Sequence, residues 1–196
     1  MPATANKVQF GLKNVHYAVV TETTDSTTGA ITSSYGTVKA WPGAVSINIT
    51  AEGEQSKFYA DNTAYYTVST NAGYTVDFNC AVIPEDVEVS VLGQTKDAKD
   101  VIIESNNDII KYIALMFEFS GDQGATKHLL YRCMLSRPTV EGSTTEDSTT
   151  VQTQALSLTA SARPDDGKIK AKIGPDGDAT TYAGWYNQVY VTATTP

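Results

Sequence analysis

The sequence predicts a mainly β protein, an antiparallel sandwich or flattened barrel with one short helix and long loops. Three observations carry this. Apolar residues alternate with polar ones over several runs, the period of a half-buried strand. Charged residues make up only 18% of the chain, below the globular norm, and Thr, Ser, Asn and Tyr fill the gap; Thr and Tyr favour pleated surfaces. Clusters of Asn, Gly and Asp separate the alternating runs, as turns require. With 196 residues and no repeat or compositional break, the chain is expected to form one domain over 1–196.

Taken in order, Val8–Leu12 and Val15–Thr21 are the first predicted strands. Val45, Ile47 and Ile49 then alternate with Ser46, Asn48 and Thr50. Tyr74, Val76, Phe78, Cys80 and Val82 alternate with Thr75, Asp77, Asn79 and Ala81. Asn71-Ala72-Gly73 precedes that run with turn chemistry, so Tyr65–Val82 reads as a hairpin. Pro84–Gly93 alternates at Val87, Val89 and Val91, yet it opens on Pro with two acids and closes on Gly. That is the frame of a short helix, expected to be the only one. Lys111–Ser120 places Ile113, Leu115, Phe117 and Phe119 on one face, and Thr126–Arg137 does so with Leu129, Tyr131, Cys133 and Leu135. Gly121-Asp122-Gln123-Gly124 joins them into a second hairpin. Val151–Arg163 carries Leu156, Leu158 and Ala160 on its apolar side, and short strands at Lys168–Ile173 and Trp185–Thr192 close the chain.

Three polar stretches interrupt this pattern, at about 22–35, 51–64 and 139–150. Loops longer than about 12 residues are uncommon in compact domains unless functional or disordered. Arms that become ordered against neighbours and plain mobile loops both fit. Phe58, Tyr59, Tyr65 and Tyr66 cluster in or beside the second stretch; tyrosines so placed either anchor an interface or fold back on their own sheet.

Composition excludes several functions. The formal charge is −8, from 22 acids and 14 bases, which opposes a grip on phosphate or on an anionic membrane surface. No apolar run reaches the roughly 18 residues of a membrane span. The segment MPATANKVQF has no basic region followed by an apolar one, so folding in a cytoplasm is expected, with Cys80 and Cys133 as free buried thiols. His16 and His128 lack partners at metal-ligand spacing, neither cysteine neighbours a histidine that could act as its base, and there is no Gly-rich phosphate loop. Asp165-Asp166-Gly167 and Pro175-Asp176-Gly177-Asp178 do not continue into a calcium loop and read as tight turns. Glu52 with Glu54, and Glu85 with Asp86, are paired acids without a visible catalytic partner. No catalytic, cofactor-binding or metal-binding residue is expected.

One resemblance covers most of Asn6 to Val191. Pro42-Gly43-Ala44-Val45-Ser46, Glu52-Gly53-Glu54 and Phe58-Tyr59-Ala60-Asp61-Asn62 resemble the major tail proteins of phages with long, non-contractile tails. Ile83-Pro84-Glu85-Asp86 with Leu92-Gly93, Leu115-Met116-Phe117-Glu118-Phe119 with Gly121-Asp122, and Tyr131-Arg132-Cys133 are similar in the same order. So are Arg137-Pro138-Thr139-Val140-Glu141-Gly142 and Tyr186-Asn187-Gln188-Val189-Tyr190-Val191. The departures lie in Glu22–Tyr35 and Gly174–Gly184. The resemblance implies a tail-tube β-sandwich with a small helix, made in the bacterial cytoplasm and carried in the virion tail. It implies a homohexameric ring, rings stacked into a hollow tube around a tape-measure protein, and terminator and distal tail proteins at the ends. DNA would pass through without specific binding, with no membrane contact. On that basis Glu52, Glu54, Phe58, Tyr59, Asp61 and Tyr65 are expected to form an inter-subunit loop, and Asp77, Asn79 and Glu118 to face the bore. The alternatives are an immunoglobulin-like binding or adhesion module, which would require export, and an enzyme on a β scaffold, which would require a polar constellation that the sequence lacks.

Overall fold

The computed structural model describes residues 5–144 and 151–192. In chain order the strands are β1 (Gln9–Thr24), β2 (Ile31–Tyr35), β3 (Lys39–Ala40), β4 (Ala44–Glu52), β5 (Gln55–Ala60), β6 (Thr63–Ser69) and β7 (Gly73–Cys80). After helix α1 (Glu85–Ser90) come β8 (Thr95–Lys96), β9 (Ile102–Ile103), β10 (Ile113–Gly121), β11 (Thr126–Leu135), β12 (Gln154–Ala160) and β13 (Lys170–Ile173), then helix α2 (Ala179–Ala183). The main sheet runs β2-β1-β10-β11-β12-β7-β4, with β13 on β11 below β12 and β3 on β1. Every described pairing is antiparallel.

The sheet curls until β1 and β4 face one another, giving the predicted flattened barrel. Its inner face buries Tyr17, Val76, Phe78, Ile113, Leu115, Phe117, Leu130, Leu156 and Leu158. Trp41 fills the middle, edge-on to Tyr17 and Phe78 at 5.7 and 5.2 Å between ring centroids, a favourable geometry for aromatic quadrupoles. Helix α1 stands where its Pro and acids placed it and inserts Val87 into this core, with Val91 just beyond its end. The Tyr17 hydroxyl donates to Asp86, whose carboxylate also pairs with Lys39 at 2.8 Å. Both cysteines are free and buried.

Several local expectations are corrected. The two N-terminal strands are one, β1, interrupted at Gly11 and Asn14, both with positive φ, where the register against β10 shifts. The 22–35 stretch is a hairpin of β1 and β2 around an Asp25 turn, whose carboxylate accepts from Thr27 and Thr28 N–H. It docks on its own chain through Glu22–Arg132 and through Ser33 N–H to Asp165. In β11 the pairing with β10 slips, Ile113 facing Cys133 but Leu115 facing Leu130. The bulge changes the side that alternate residues occupy, so Cys133 and Leu135 join the inner core while Leu129 and Tyr131 point outward,.

A second helix, α2, also departs from the single one expected. Asp178 caps it by accepting the Thr181 N–H at 2.7 Å, the role Asp prefers at a helix start. Trp185–Thr192 is not a strand. Trp185 and Val189 instead bury against Ala18, Val20, Ala114, Met116, Leu129 and Tyr131, covering the outer face of β1, β10 and β11. Of the 139–150 stretch, 139–144 has no regular structure and 145–150 lies outside the described residues.

Candidate assembly interface

The segment from Ala44 to Cys80 is one long ribbon. β4 pairs with β7 from Ala44↔Cys80 to Glu52↔Gly73, and β5 continues beyond it against β6 from Gln55↔Ser69 to Ala60↔Thr63. The chain therefore reverses at Asp61-Asn62, with φ of 49° and 62°. Both central residues at positive φ match a type I′ turn, the two-residue hairpin turn that Asn and Asp tolerate best. Asn71-Ala72-Gly73 is not a turn but the return crossing. There Thr70 N–H bonds Glu54 O at 3.0 Å and Ala72 N–H bonds Glu52 O at 2.9 Å. Gly53 is needed here: with φ of 152°, a Cβ would stand 2.1 Å from Thr70 O.

The 51–64 "loop" is thus the outer half of a hairpin arm, and the predicted Tyr65–Val82 hairpin is mispaired. Among the described residues the arm packs on no other element. Every residue of β5 and β6 is exposed except half-buried Ala60. Phe58, Tyr59, Tyr65 and Tyr66 are 62, 63, 74 and 61% exposed, so they do not fold back on the sheet. Phe58 lies opposite Tyr66 and Ser56 opposite Val68, so their side chains share a face.

Of the predicted inter-subunit residues, Phe58, Tyr59, Asp61 and Tyr65 come together on this arm. Glu54 is at its root, where its backbone N–H bonds Thr70 Oγ1 at 2.9 Å. Glu52 ends β4 and accepts from the Thr75 hydroxyl. Tyr66 and Val68 complete the apolar face; the Asp61-Asn62 pair was the sequence signal that could have located it.

Asp77 and Asn79 lie on the outer face of β7. Register groups them with Ser46, Asn48 and Thr50 of β4, Thr75 of β7, and Ala155, Ser157 and Thr159 of β12. These nine positions alternate with the buried core residues, Asn79 donates to Ser46 Oγ at 3.0 Å, and none is Lys or Arg. Arg137, beside this face, is held by Glu104 at 3.3 Å. Glu118 is elsewhere and is corrected: it is only 4% exposed. Its carboxylate accepts from Asn14 Nδ2 at 2.8 Å and Tyr186 Oη at 3.2 Å, with Lys13 Nζ at 3.9 Å. An acid on an otherwise apolar strand looked like an exception pointing outward; it is instead a buried tie to the C-terminal segment.

The histidines have structural surroundings. His16 stacks on Tyr186 at 4.5 Å. His128 stacks on Phe117 at 5.2 Å with Phe119 edge-on at 5.4 Å, and burial, with Lys172 and Lys170 nearby, pushes its pKa down to about 4. Asp165 and Asp166 pair with Arg163, and Asp166 also with Lys168. Among the described residues, no three His, Cys, Asp or Glu side chains group as metal ligands do.

No curated protein matches the sequence. Among solved structures, the chain is similar to one in the cryo-EM structure of the anti-feeding prophage baseplate, six-fold symmetrised, at 9% identity and a TM-score of 0.45. The match covers 88% of this chain and 98% of that one. The family model for phage tail tube proteins matches residues 4–184. The chain belongs to the phage tail tube protein family and is a structural, non-enzymatic component of the virion tail.

Proposed function

We propose that the whole chain acts as one tube-building domain. Six copies close a ring, rings stack into the hollow tube of a long, non-contractile tail, and viral DNA passes through it. The observation that carries this is the arm: a two-stranded ribbon with four exposed aromatics, supported by no other element among the described residues. A lone two-stranded hairpin is marginal in water, and contiguous exposed apolar surface marks an interaction site. A family that builds tubes supplies the partner as another copy. A contact between unlike surfaces closes into a ring laterally and stays open axially.

The polar outer face of β4, β7 and β12 suits the bore. It offers hydroxyls and amides with Asp77 and no cation. Six chains at −8 each bring about −48 per ring, and like charge keeps phosphate from sticking. The tape-measure protein would occupy this channel before DNA does, with terminator and distal tail proteins at the tube ends.

Electron microscopy of the concentrated protein, alone and co-expressed with its tape-measure and chaperone partners, tests the reading. Rings or tubes roughly 80–100 Å wide are expected from six domains around a bore. A strictly monomeric protein under all these conditions refutes it.

A further inference from the structure

The two ends of the barrel are filled differently. Helix α1 follows the Cys80 end of β7, and Val87 and Val91 are fully buried in the core there. At the Gly73 end the core residues Ile49, Tyr74 and Phe119 are only half-buried. A cavity of about 170 Å³ opens between them. Phe117, His128 and Leu130 also line it, and so does Lys170. Phe117 and Leu130 are buried and Lys170 is exposed, so the cavity is apolar at depth and cationic at its mouth.

Size and lining select one aromatic ring. An apolar cavity of about 150 Å³ lined by Leu, Ile and Phe holds a benzene molecule, whereas sites for larger ligands begin near roughly 300 Å³. The rings of Phe117, Phe119 and His128 already pack on one another with centroids 5.2, 5.4 and 5.5 Å apart. A further ring can join the same stacked and edge-on arrangement. The charge selects an anion. Lys170 and Lys172 stand opposite Leu130 and His128 on β13, and among the described residues neither forms an ion pair. Burial first, and then these two cations, hold the His128 pKa down, so the positive potential here is uncompensated although the chain carries −8.

We propose that this cavity binds a small aromatic carboxylate, its ring among Ile49, Phe117 and Phe119 and its carboxylate at Lys170. The Lys170 ammonium stands 4.3 Å above the Tyr74 ring, a contact that holds the charge at the mouth and leaves its N–H groups free for the anion. The site lies within one chain and does not depend on the tube reading. Phenylacetate titrated into the dilute full-length protein, followed by NMR of the aromatic side chains, tests it; phenylacetamide is the uncharged isostere and acetate the ringless control. Phenylacetate should shift the Phe117, Phe119 and His128 resonances saturably, phenylacetamide should bind more weakly, and acetate should not bind. Lys170→Gln alters only an exposed side chain and should weaken phenylacetate roughly two- to five-fold, the range of an exposed charge pair, while leaving phenylacetamide unchanged. Ile49→Trp should fill the cavity and abolish both; if that variant does not fold, Lys170→Gln carries the test alone. Absence of saturable shifts at the three rings, or their persistence in a folded Ile49→Trp protein, overturns the site. Equal affinity for acid and amide overturns the anionic ligand.

Discussion

Truncating Phe58 separates an interface residue from a folding residue. Phe58 is 62% exposed in the single chain. An aromatic side chain presents roughly 200 Å², so covering it in a neighbour removes roughly 120 Å² from water, about 3 kcal/mol at ~25 cal/mol per Å². Fixing its rotamer costs about 1 kcal/mol, leaving about 2 kcal/mol per subunit, or roughly a 30-fold change in equilibrium. The fold, by contrast, makes no use of the ring, so Phe58→Ala should change monomer stability by under about 0.5 kcal/mol. The assay pairs urea unfolding of the dilute monomer with sedimentation of tubes across a concentration series. The expected result is an unchanged unfolding midpoint and a critical concentration raised by about an order of magnitude or more. An unchanged critical concentration would refute the role of the arm. A loss of monomer stability of about 2–4 kcal/mol, the size of a core truncation, would show that the ring packs on its own chain.

Three further expectations follow from the same geometry. Asp77→Lys alters an exposed carboxylate on the polar face, so tubes should form with normal stability while DNA delivery, measured as infectivity per assembled particle, falls; Glu118→Lys, by contrast, inserts a cation where a buried carboxylate is bonded and should cost about 3–5 kcal/mol of stability. Gly73→Ala forces a Cβ to 2.3 Å from Ala160 O at a φ of 118° and should cost at least about 3 kcal/mol in urea unfolding, whereas Gly142→Ala, with nothing within 4 Å, should be neutral. His128, with a folded pKa of about 4, is protonated first in the unfolded chain as pH falls below about 6.5. Native stability should therefore drop between roughly pH 6.5 and 4, by up to about 3 kcal/mol from this group; His128→Gln should show a shallower drop over the same window, and identical profiles would exclude the group.

The sequence revealed strand faces better than strand partners. Alternation at Tyr74–Cys80 and at Leu156–Ala160 correctly marked core positions, because one side of each strand meets the barrel interior and the other meets water; Val82, expected to continue the first run, lies beyond the strand and is exposed. The same signal is missing from Gln55–Ala64, where neither face meets a core, and that part therefore read as a loop, while Tyr65 onward read as a strand with the wrong partner. Asn71-Ala72-Gly73, beside the clearest strand, has the turn chemistry that stands out, whereas the register turns at Asp61-Asn62. The C-terminal segment was opaque for another reason. Trp185 and Val189 lie four apart and bury against β1, β10 and β11, and nothing local shows that the outer face of those strands needs a cover. The outward position of Asp77 and Asn79 was readable from their alternation; the burial of Glu118 was not, because Asn14 and Tyr186, which bond it, lie far away in sequence.

The outer face of the sheet divides into two halves that explain each other. Over β1, β10 and β11 it is apolar, and the chain covers it with its own Trp185–Val189 segment. Over β4, β7 and β12 it is polar and bare, so it needs no cover. The arm is the part that fits neither solution: it carries exposed aromatics, and nothing among the described residues buries them. A ribbon of this kind is marginal when alone, held here by its turn and by the Glu52–Ala72 and Glu54–Thr70 bonds at its root. On the proposed stacked-tube reading, its order depends on a neighbour. At a growing tube end that neighbour would already be in place, whereas two free subunits would have to order an arm to make their first contact. That reading then predicts addition to an existing end over new starts, and with it a subunit that stays unpolymerised until a tail has begun.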